Sequence, residues 1–477
     1  MRNLSLLTDL YEFTMANGFQ AELAHDRATF DIFYRNVPDH GSFVIAAGLA
    51  QVLDALRQFH FDADDIDYLR NLHLFSADFL AQLTDFKLDC SITAIPEGTP
   101  VFPREPLITV TGPLVQAQLL ETLLLNILNH QSLIATKARR ICAAAGNRPV
   151  MEFGARRAQG PDAAIYGSRA AIIGGCSSTS NVLAAKEFGI PAAGTRAHSW
   201  IESFPSELDA FRAWAKLYPD NCALLVDTYD VLQSGVPNAI TVFHELAATG
   251  HKPVGVRIDS GDITTLAHKT RALLDAAGFP EAKITASNAL DEQVMSSLLS
   301  EGAPIDNFGI GEMLITSASS PVLSGVYKLA ATEHDGQLIP KIKVSGTRSK
   351  TTLPGIKAVY RLYHKGTTQA FADLIALADE DIEALSSMPV INADPLATQK
   401  DAFLTDVEAH GLQEVFDLHT TPHEETDVFA IQAFSKQRLA ELPAATKRLV
   451  NPDTYCVYIT PALAKLQSDL IEQHKAR

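Results

Sequence analysis

The chain has 477 residues, 47% hydrophobic and 20% charged, a globular balance that can bury a large core and whose length points to two or three domains. Thirty-nine Lys and Arg against 56 Asp and Glu leave a formal net charge of −17, which argues against nucleic acid and anionic lipid as partners unless a local basic cluster reverses the sign. Cys90, Cys142, Cys176, Cys222 and Cys456 show no CxxC or Cys/His ligand spacing, and no segment approaches the ~20 apolar residues of a membrane span; a soluble, cytoplasmic protein with reduced thiols is expected.

In chain order, the opening run MRNLSLLTDLYEF carries an acid by Asp9 and no long apolar stretch, unlike a secretory signal. ATFDIFYRNVP (28–38) is aromatic and β-branched and ends at Pro38, as a strand does. Residues 92–113 alternate short β-prone runs with Pro/Gly turns, which predicts a compact antiparallel unit. Residues 114–145 then read as one or two long helices with an apolar face.

From about residue 146 the texture changes. Short apolar runs end abruptly in polar residues and are followed by helical patterns: VMEFGARR (150–157), AAGTRAHS (192–199), ALLVDTYD (223–230), VGVRIDSGD (254–262), KITASNALD (283–291) and NFGIGEML (307–314). Alternating strand and helix predicts a parallel sheet, and so many decorated strand ends favour a β/α barrel, where those ends share one mouth. The expected organisation is an α+β N-terminal domain (1–137), a barrel region carrying the active site (138–330) and a C-terminal region (331–477) packing back on the N-terminal part.

The strand ends carry the chemistry. In GTRAHS, read as a strand end, His198 stands beside the hydroxyls of Thr195 and Ser199; an imidazole there serves proton transfer or attack on phosphorus, or is simply a hydrogen-bonded barrel histidine. VDTYD and RIDSGD place Asp227 and Asp259 at strand ends, able to orient a histidine, ligate magnesium or bind ribose hydroxyls, while Asp230 and Asp262 fit helix N-caps. Arg257 and Asp259, at i and i+2, share one face; they are a structural pair or a cationic fork beside a carboxylate. FGARR offers Phe153 as a flat apolar surface, with Arg156 and Arg157 divided between an anion and a salt bridge. GIG (309–311) permits close backbone approach to a phosphate. Between 340 and 363 stand the six cations Lys341, Lys343, Arg348, Lys350, Lys357 and Arg361 with no acid in the run, which reads either as a solvated edge or as a phosphate-clamping loop.

Taken as an ordered series, LTDLYEFTMANG, FYRNVPDHGSFVIAAGL, EFGARRAQGPDAA, GTRAHSW, VDTYD, GVRIDSGD, SNALDE, FGIGEML and KVSGTRSKTTLPGIKAVYRL resemble the nicotinate phosphoribosyltransferases over most of the chain. The resemblance implies an irregular, incomplete β/α barrel and a homodimer with shared active sites. It implies transfer of a phosphoribosyl group from phosphoribosyl pyrophosphate to nicotinate, with magnesium on the pyrophosphate and coupled ATP hydrolysis. His198 would be transiently phosphorylated, Asp227 would support it, and Asp259 would sit at the ribose. Tyr11 (from the partner) and Phe153 would sandwich the pyridine, and Arg156, Thr195 and Arg257 would contact the carboxylate or sugar phosphate. Gly309 and Gly311 would line the 5′-phosphate pocket, and Arg35, Lys343, Lys350 and Lys357 would engage phosphates. Glu312 departs from the threonine frequent at that position in the family.

A nicotinamide phosphoribosyltransferase is the nearest rival; an acid near the ring amide would favour it, and residues 163–186 contain none. A non-catalytic sugar-phosphate-binding barrel would need no phosphoryl acceptor, so His198, Asp227 and Arg257 together argue for an enzyme. An aldolase-like barrel would want a strand-end Schiff-base lysine, which the six runs do not offer.

Overall fold

A computed structural model describes residues 3–382, 387–397, 401–418 and 427–475. The chain forms two compact units: Met1–Leu133 with Val322–Thr426 and Ala433–Arg477, and Ile134–Pro321 with Asp427–Gln432.

In the first unit, the run read as a strand at 28–38 is Arg27–Phe33, the third strand of a six-stranded antiparallel sheet. It pairs with Ile108–Pro113 on one side and with Val326–His334 on the other, so residues distant in sequence complete one sheet. Its alternation sets two faces. Phe30 and Ile32 join an apolar core with Ile92, Val110, Leu120 and Leu124, while Asp31 is also buried and needs partners. It finds them in the Thr109 hydroxyl, which donates at 2.8 Å, and in Lys357 Nζ at 2.8 Å. A second six-stranded sheet, from residues 357–459, is mixed: Ala370–Leu377 runs parallel to Cys456–Ile459 and antiparallel to Lys357–His364.

The second unit holds the parallel sheet that the repeated strand-helix texture predicts. Its order is Ser178–Thr179, Val150–Glu152, Asn307–Ile310, Lys283–Asn288, Gly255–Ile258, Ala223–Leu225. Leu224, Val256, Ile258, Ile284, Phe308 and Ile310 are all buried and share one face of the sheet, while Arg257, Thr285 and Ser287 stand on the other. The end strands do not pair with each other among the described residues, so the barrel is incomplete. Helix Ile263–Ala276 illustrates the covering layer. Asp262 caps it by accepting from the Thr265 amide, and Ile263, Ala267, Thr270 and Leu274 form the buried stripe. Asp230 likewise accepts from the Leu232 and Gln233 amides, as its N-cap reading predicts.

One expected strand is absent. AAGTRAHS makes only a single bridge, Ala192 to Thr179, and then runs irregularly into the short helix His198–Glu202. The strand it bridges to has only two residues, too short to propagate a ladder. No helix among the described residues is long and apolar enough to cross a membrane.

Candidate active site

The C-terminal ends of the parallel strands bring Phe153, Thr195, His198, Asp227, Arg257, Asp259, Ser287 and Gly309 into one polar cluster. Arg257 is its hub. Nη2 donates to Asp259 Oδ1 at 2.7 Å, Nε to Ser287 Oγ at 2.7 Å and Nη1 to Thr195 Oγ1 at 3.0 Å. The guanidinium carbon lies 5.7 Å from the centre of the Phe153 ring. Pairing with Asp259 offsets the desolvation of a side chain left only 16% exposed, and the i, i+2 spacing predicted the shared face. Two of its three partners are neutral hydroxyls, which a ligand oxygen can replace.

His198 sits at the first position of its helix, and 40% of the side chain is open to solvent. Its Nδ1 is 3.1 Å from Thr228 Oγ1, and its Nε2 is 3.9 Å from Asp259 Oδ2. When Nδ1–H donates to Thr228, Nε2 presents a lone pair; when Nε2 is protonated, Asp259 is the nearest anion.

Asp227 does not make the contact to His198 that its sequence position suggested. Its Oδ2 accepts from the Asp259 amide at 3.0 Å and from the Ser260 hydroxyl at 2.6 Å, which pins the loop carrying Asp259. Its position just beyond the strand explains this: it reaches the next strand's end rather than across the mouth. Thr228, one residue on, takes the histidine. Asp227 Oδ1 is buried without a partner, an oxygen that suits a cation or a donor from a ligand. No group of three or more potential metal-ligating side chains occurs among the described residues.

Gly309 lies directly under the Phe153 ring: a Cβ there would stand 2.6 Å from ring carbons. Its first role is thus to admit the aromatic side chain; at Gly311 a Cβ would meet the Phe153 carbonyl at 3.3 Å. The Phe153 turn is locked from behind by Glu152, fully buried, which accepts from Thr179 Oγ1 at 2.6 Å, from Ser168 Oγ at 2.8 Å and from the Gly154 amide. Of the adjacent arginines, Arg157 pairs with Glu312 at 3.5 Å and Arg156 is exposed. Glu312 therefore faces the arginine instead of a phosphate. Thr228, Ser260, Ser287 and Glu152 escaped the sequence reading. Thr228 and Ser287 stood inside runs that were noticed, and an acid within an apolar strand was the signal for Glu152.

Tyr11, Arg35, Lys343, Lys350 and Lys357 belong to the first unit. Tyr11 is 44% exposed on helix Leu10–Glu22, and burial, followed by the Glu121 carboxylate, pushes its hydroxyl pKa up. Lys343 and Lys350 are exposed. Lys357 is not available as a phosphate clamp: it is buried, pairs with Asp31, and donates to the carbonyls of Leu353 and Gly355. Arg361, counted in the same basic run, is fully buried and forked onto Asp373 through Nε at 3.0 Å and Nη2 at 2.8 Å. A β-strand alternates its faces, so a run of cations crossing into one must send some of them inward.

Three family models match in succession. The nicotinate phosphoribosyltransferase (NAPRTase) N-terminal domain matches residues 6–129, the NAPRTase family 149–359 and the C-terminal domain 356–467. A nicotinate phosphoribosyltransferase of Bacillus subtilis is 39% identical over 477 residues, covering 100% of this chain and 96% of its own length. The chain belongs to the nicotinate phosphoribosyltransferase family. A human nicotinate phosphoribosyltransferase is 36% identical over 79% of this chain and 80% of its own length. The crystal structure of human nicotinic acid phosphoribosyltransferase superposes with a TM-score of 0.84 at 31% identity, covering 98% of this chain and 100% of that one.

Proposed function

We propose that this enzyme transfers the phosphoribosyl group of phosphoribosyl pyrophosphate to nicotinate, forming nicotinate mononucleotide and pyrophosphate for NAD salvage, with ATP hydrolysis coupled through His198. The observation that carries the reading is the arrangement of an exposed imidazole, a shared Arg257–Asp259 pair and an aromatic face, Phe153, at one end of the parallel sheet.

In the transfer, the bond from the anomeric carbon to the pyrophosphate oxygen breaks as the pyridine nitrogen bonds to that carbon. The nitrogen needs no general base, so positioning supplies much of the rate. Phe153 stacks on the pyridine, and the partner subunit's Tyr11 closes the other face in a homodimer with shared active sites. Arg257 and Arg156 hold the carboxylate and phosphate anions, Thr195 adds a hydroxyl, and Asp259 stabilises positive charge growing on the ribose. Gly309 and Gly311 leave the backbone open to the 5′-phosphate. Asp227 Oδ1, buried without a partner, would face a magnesium ion carried by the pyrophosphate, and that ion would supply charge neutralisation at the leaving group.

With Nδ1–H held by Thr228, His198 Nε2 accepts the terminal phosphoryl group of ATP, and ADP leaves; water later takes the group as inorganic phosphate. The added charge, close to −2, favours the approach of basic side chains to the phosphorylated histidine. Incubating the protein with phosphoribosyl pyrophosphate, magnesium and nicotinate or nicotinamide, with and without ATP, tests the reading. Nicotinate should yield mononucleotide, and His198→Ala should lose the ATP stimulation. Product from nicotinamide alone, or full stimulation in the alanine variant, defeats the corresponding part.

A further inference from the structure

The turn GTRAHS brings Thr195 and His198 to the mouth of the parallel sheet, yet from Gly194 to Arg196 no backbone–backbone hydrogen bond fixes it among the described residues. The last such bond before it runs from the Ala193 amide to the Thr179 carbonyl, and the next from the Trp200 amide to the Ala197 carbonyl. Side chains hold what lies between. Two of them, Thr195 on Arg257 and His198 on Thr228, belong to the reacting cluster itself. The third is Arg196, which turns away from the mouth.

Arg196 is only 5% exposed. Its Nη1 donates at 2.8 Å to the carbonyl of Ala223, the first residue of strand Ala223–Leu225, whose other end leads to Asp227 and Thr228. Its Nε and Nη2 are buried without hydrogen-bond partners. The guanidinium carbon instead lies 5.2 Å from the Phe211 ring centre and 4.9 Å from that of Trp214, both on helix Glu207–Leu217. Burial pulls its pKa down to about 10 against the raising influence of Cys222 and Glu207, so the group is cationic at neutral pH. Glu207 acts on it from a distance and is itself engaged, its Oε2 accepting from Asn238 at 2.9 Å and from the Ser234 hydroxyl.

The same helix holds the far side of the turn. Trp214 meets Trp200 edge-on with ring centres 5.4 Å apart, and the Trp200 indole donates to the Ala210 carbonyl at 3.1 Å. Trp200 stands in the short helix that His198 opens. Arg196, Trp214 and Trp200 thus form one packed row from the turn to the helix bearing the imidazole. A buried cation with a single hydrogen bond is a poor choice for packing alone, since an apolar side chain would fill the space without the desolvation penalty. We propose that Arg196 is a positioning residue for the ATP-coupled step. Tied between the Ala223 carbonyl and two rings, it holds the turn so that Thr195 faces Arg257 and His198 keeps Nδ1 on Thr228 and Nε2 free. The proposal rests on the phosphoryl-carrying role given to His198 above.

Trp200 and Trp214 are the only tryptophans of the chain, and Trp214 Nε1 has no partner to lose. Trp214→Phe therefore keeps a ring beside Arg196 and leaves Trp200 as the sole reporter on the His198 helix. In that background Arg196→Met keeps the length of the side chain and removes the charge and the Ala223 bond. Acrylamide quenching of Trp200 should rise. The ratio of nicotinate mononucleotide rates with and without ATP should fall at least about tenfold, the scale of a displaced reacting group. A role confined to the fold lowers both rates together and leaves that ratio in place. Arg196→Lys, which keeps a charge between the rings, should recover part of the ratio. Trp214→Leu removes a ring but keeps the arginine; it should move both readouts in the same direction by less, and it carries the test if the methionine chain does not fold. A stimulated parent with an unchanged ratio in the folded variants overturns the Arg196 proposal alone. A wild type that ATP does not stimulate defeats the reading of His198 and takes this proposal with it.

Discussion

Arg257 and Arg361 are both strand arginines paired with an aspartate, yet they do different work. Arg361 and Asp373 are each fully buried; Arg361 also donates to the Pro100 carbonyl and lies 5.7 Å from the Phe102 ring centre, and the Tyr455 hydroxyl donates to Asp373 at 3.0 Å. Arg257 keeps 16% of its side chain exposed and Asp259 keeps 28%. Around Arg257 the other partners are Thr195 and Ser287 hydroxyls, which can be exchanged for substrate oxygens at little cost. Around Arg361 nothing can be exchanged without leaving a buried charge alone. The pair as such therefore says nothing about function; its exposure and the replaceability of its neighbours do.

The comparison is sharpest in the pair of variants Arg361→Met and Arg257→Met. Losing Arg361 leaves Asp373 buried and uncompensated, and should lower stability by about 3–5 kcal/mol. Arg257→Met should cost clearly less in stability but lower phosphoribosyl transfer by roughly a hundredfold or more, the scale of removing one preorganised charge from a reacting centre. Urea unfolding and initial-rate assays on the same preparations separate the two. Equal losses of stability would make Arg257 a scaffold residue as well.

This contrast also explains what was legible beforehand. The strands and helices of the second unit follow from apolar runs and their caps, and most of the site residues stand at strand ends where the runs turn polar. GTRAHS misled in one respect: its composition reads as a strand end, but the run's single bridge lies before it at Ala192, and His198 opens a helix instead. The basic segment misled in another. Charge counted along the chain contains no information on pleating, and Lys357 and Arg361 point to buried acids, Asp31 and Asp373, that lie 326 and 12 positions away.

A smaller effect tests the ring platform. Gly309→Ala forces a Cβ to 2.6 Å from Phe153, whereas Gly311→Ala brings one only to 3.3 Å from a carbonyl oxygen. The first substitution should cost about 1–3 kcal/mol through overpacking and tilt the aromatic ring. The KM for nicotinate should then rise while that of Gly311→Ala moves less. Equal KM values for the two variants would separate Phe153 from nicotinate binding.

The least effect expected lies beside the Arg361 pair and depends on pH. Burial, then the neighbouring Asp373 carboxylate, raises the pKa of Glu105 well above the ordinary carboxylic range, despite the opposing pull of Arg361. Below the ordinary pKa, Glu105 is protonated in folded and unfolded chains alike and its contribution to stability is complete. Above it the unfolded chain releases the proton while the folded one keeps it, so stability falls as pH rises until the folded pKa is passed. Glu105→Gln cannot titrate, yet its carbonyl oxygen can still accept from the Phe102 amide, which Glu105 holds at 2.8 Å. Between about pH 5 and 6 the wild type should therefore lose about 1 kcal/mol relative to the glutamine variant. Unfolding curves that stay parallel across that range would mean that Glu105 is ionised in the fold, with Arg361 shared between two carboxylates.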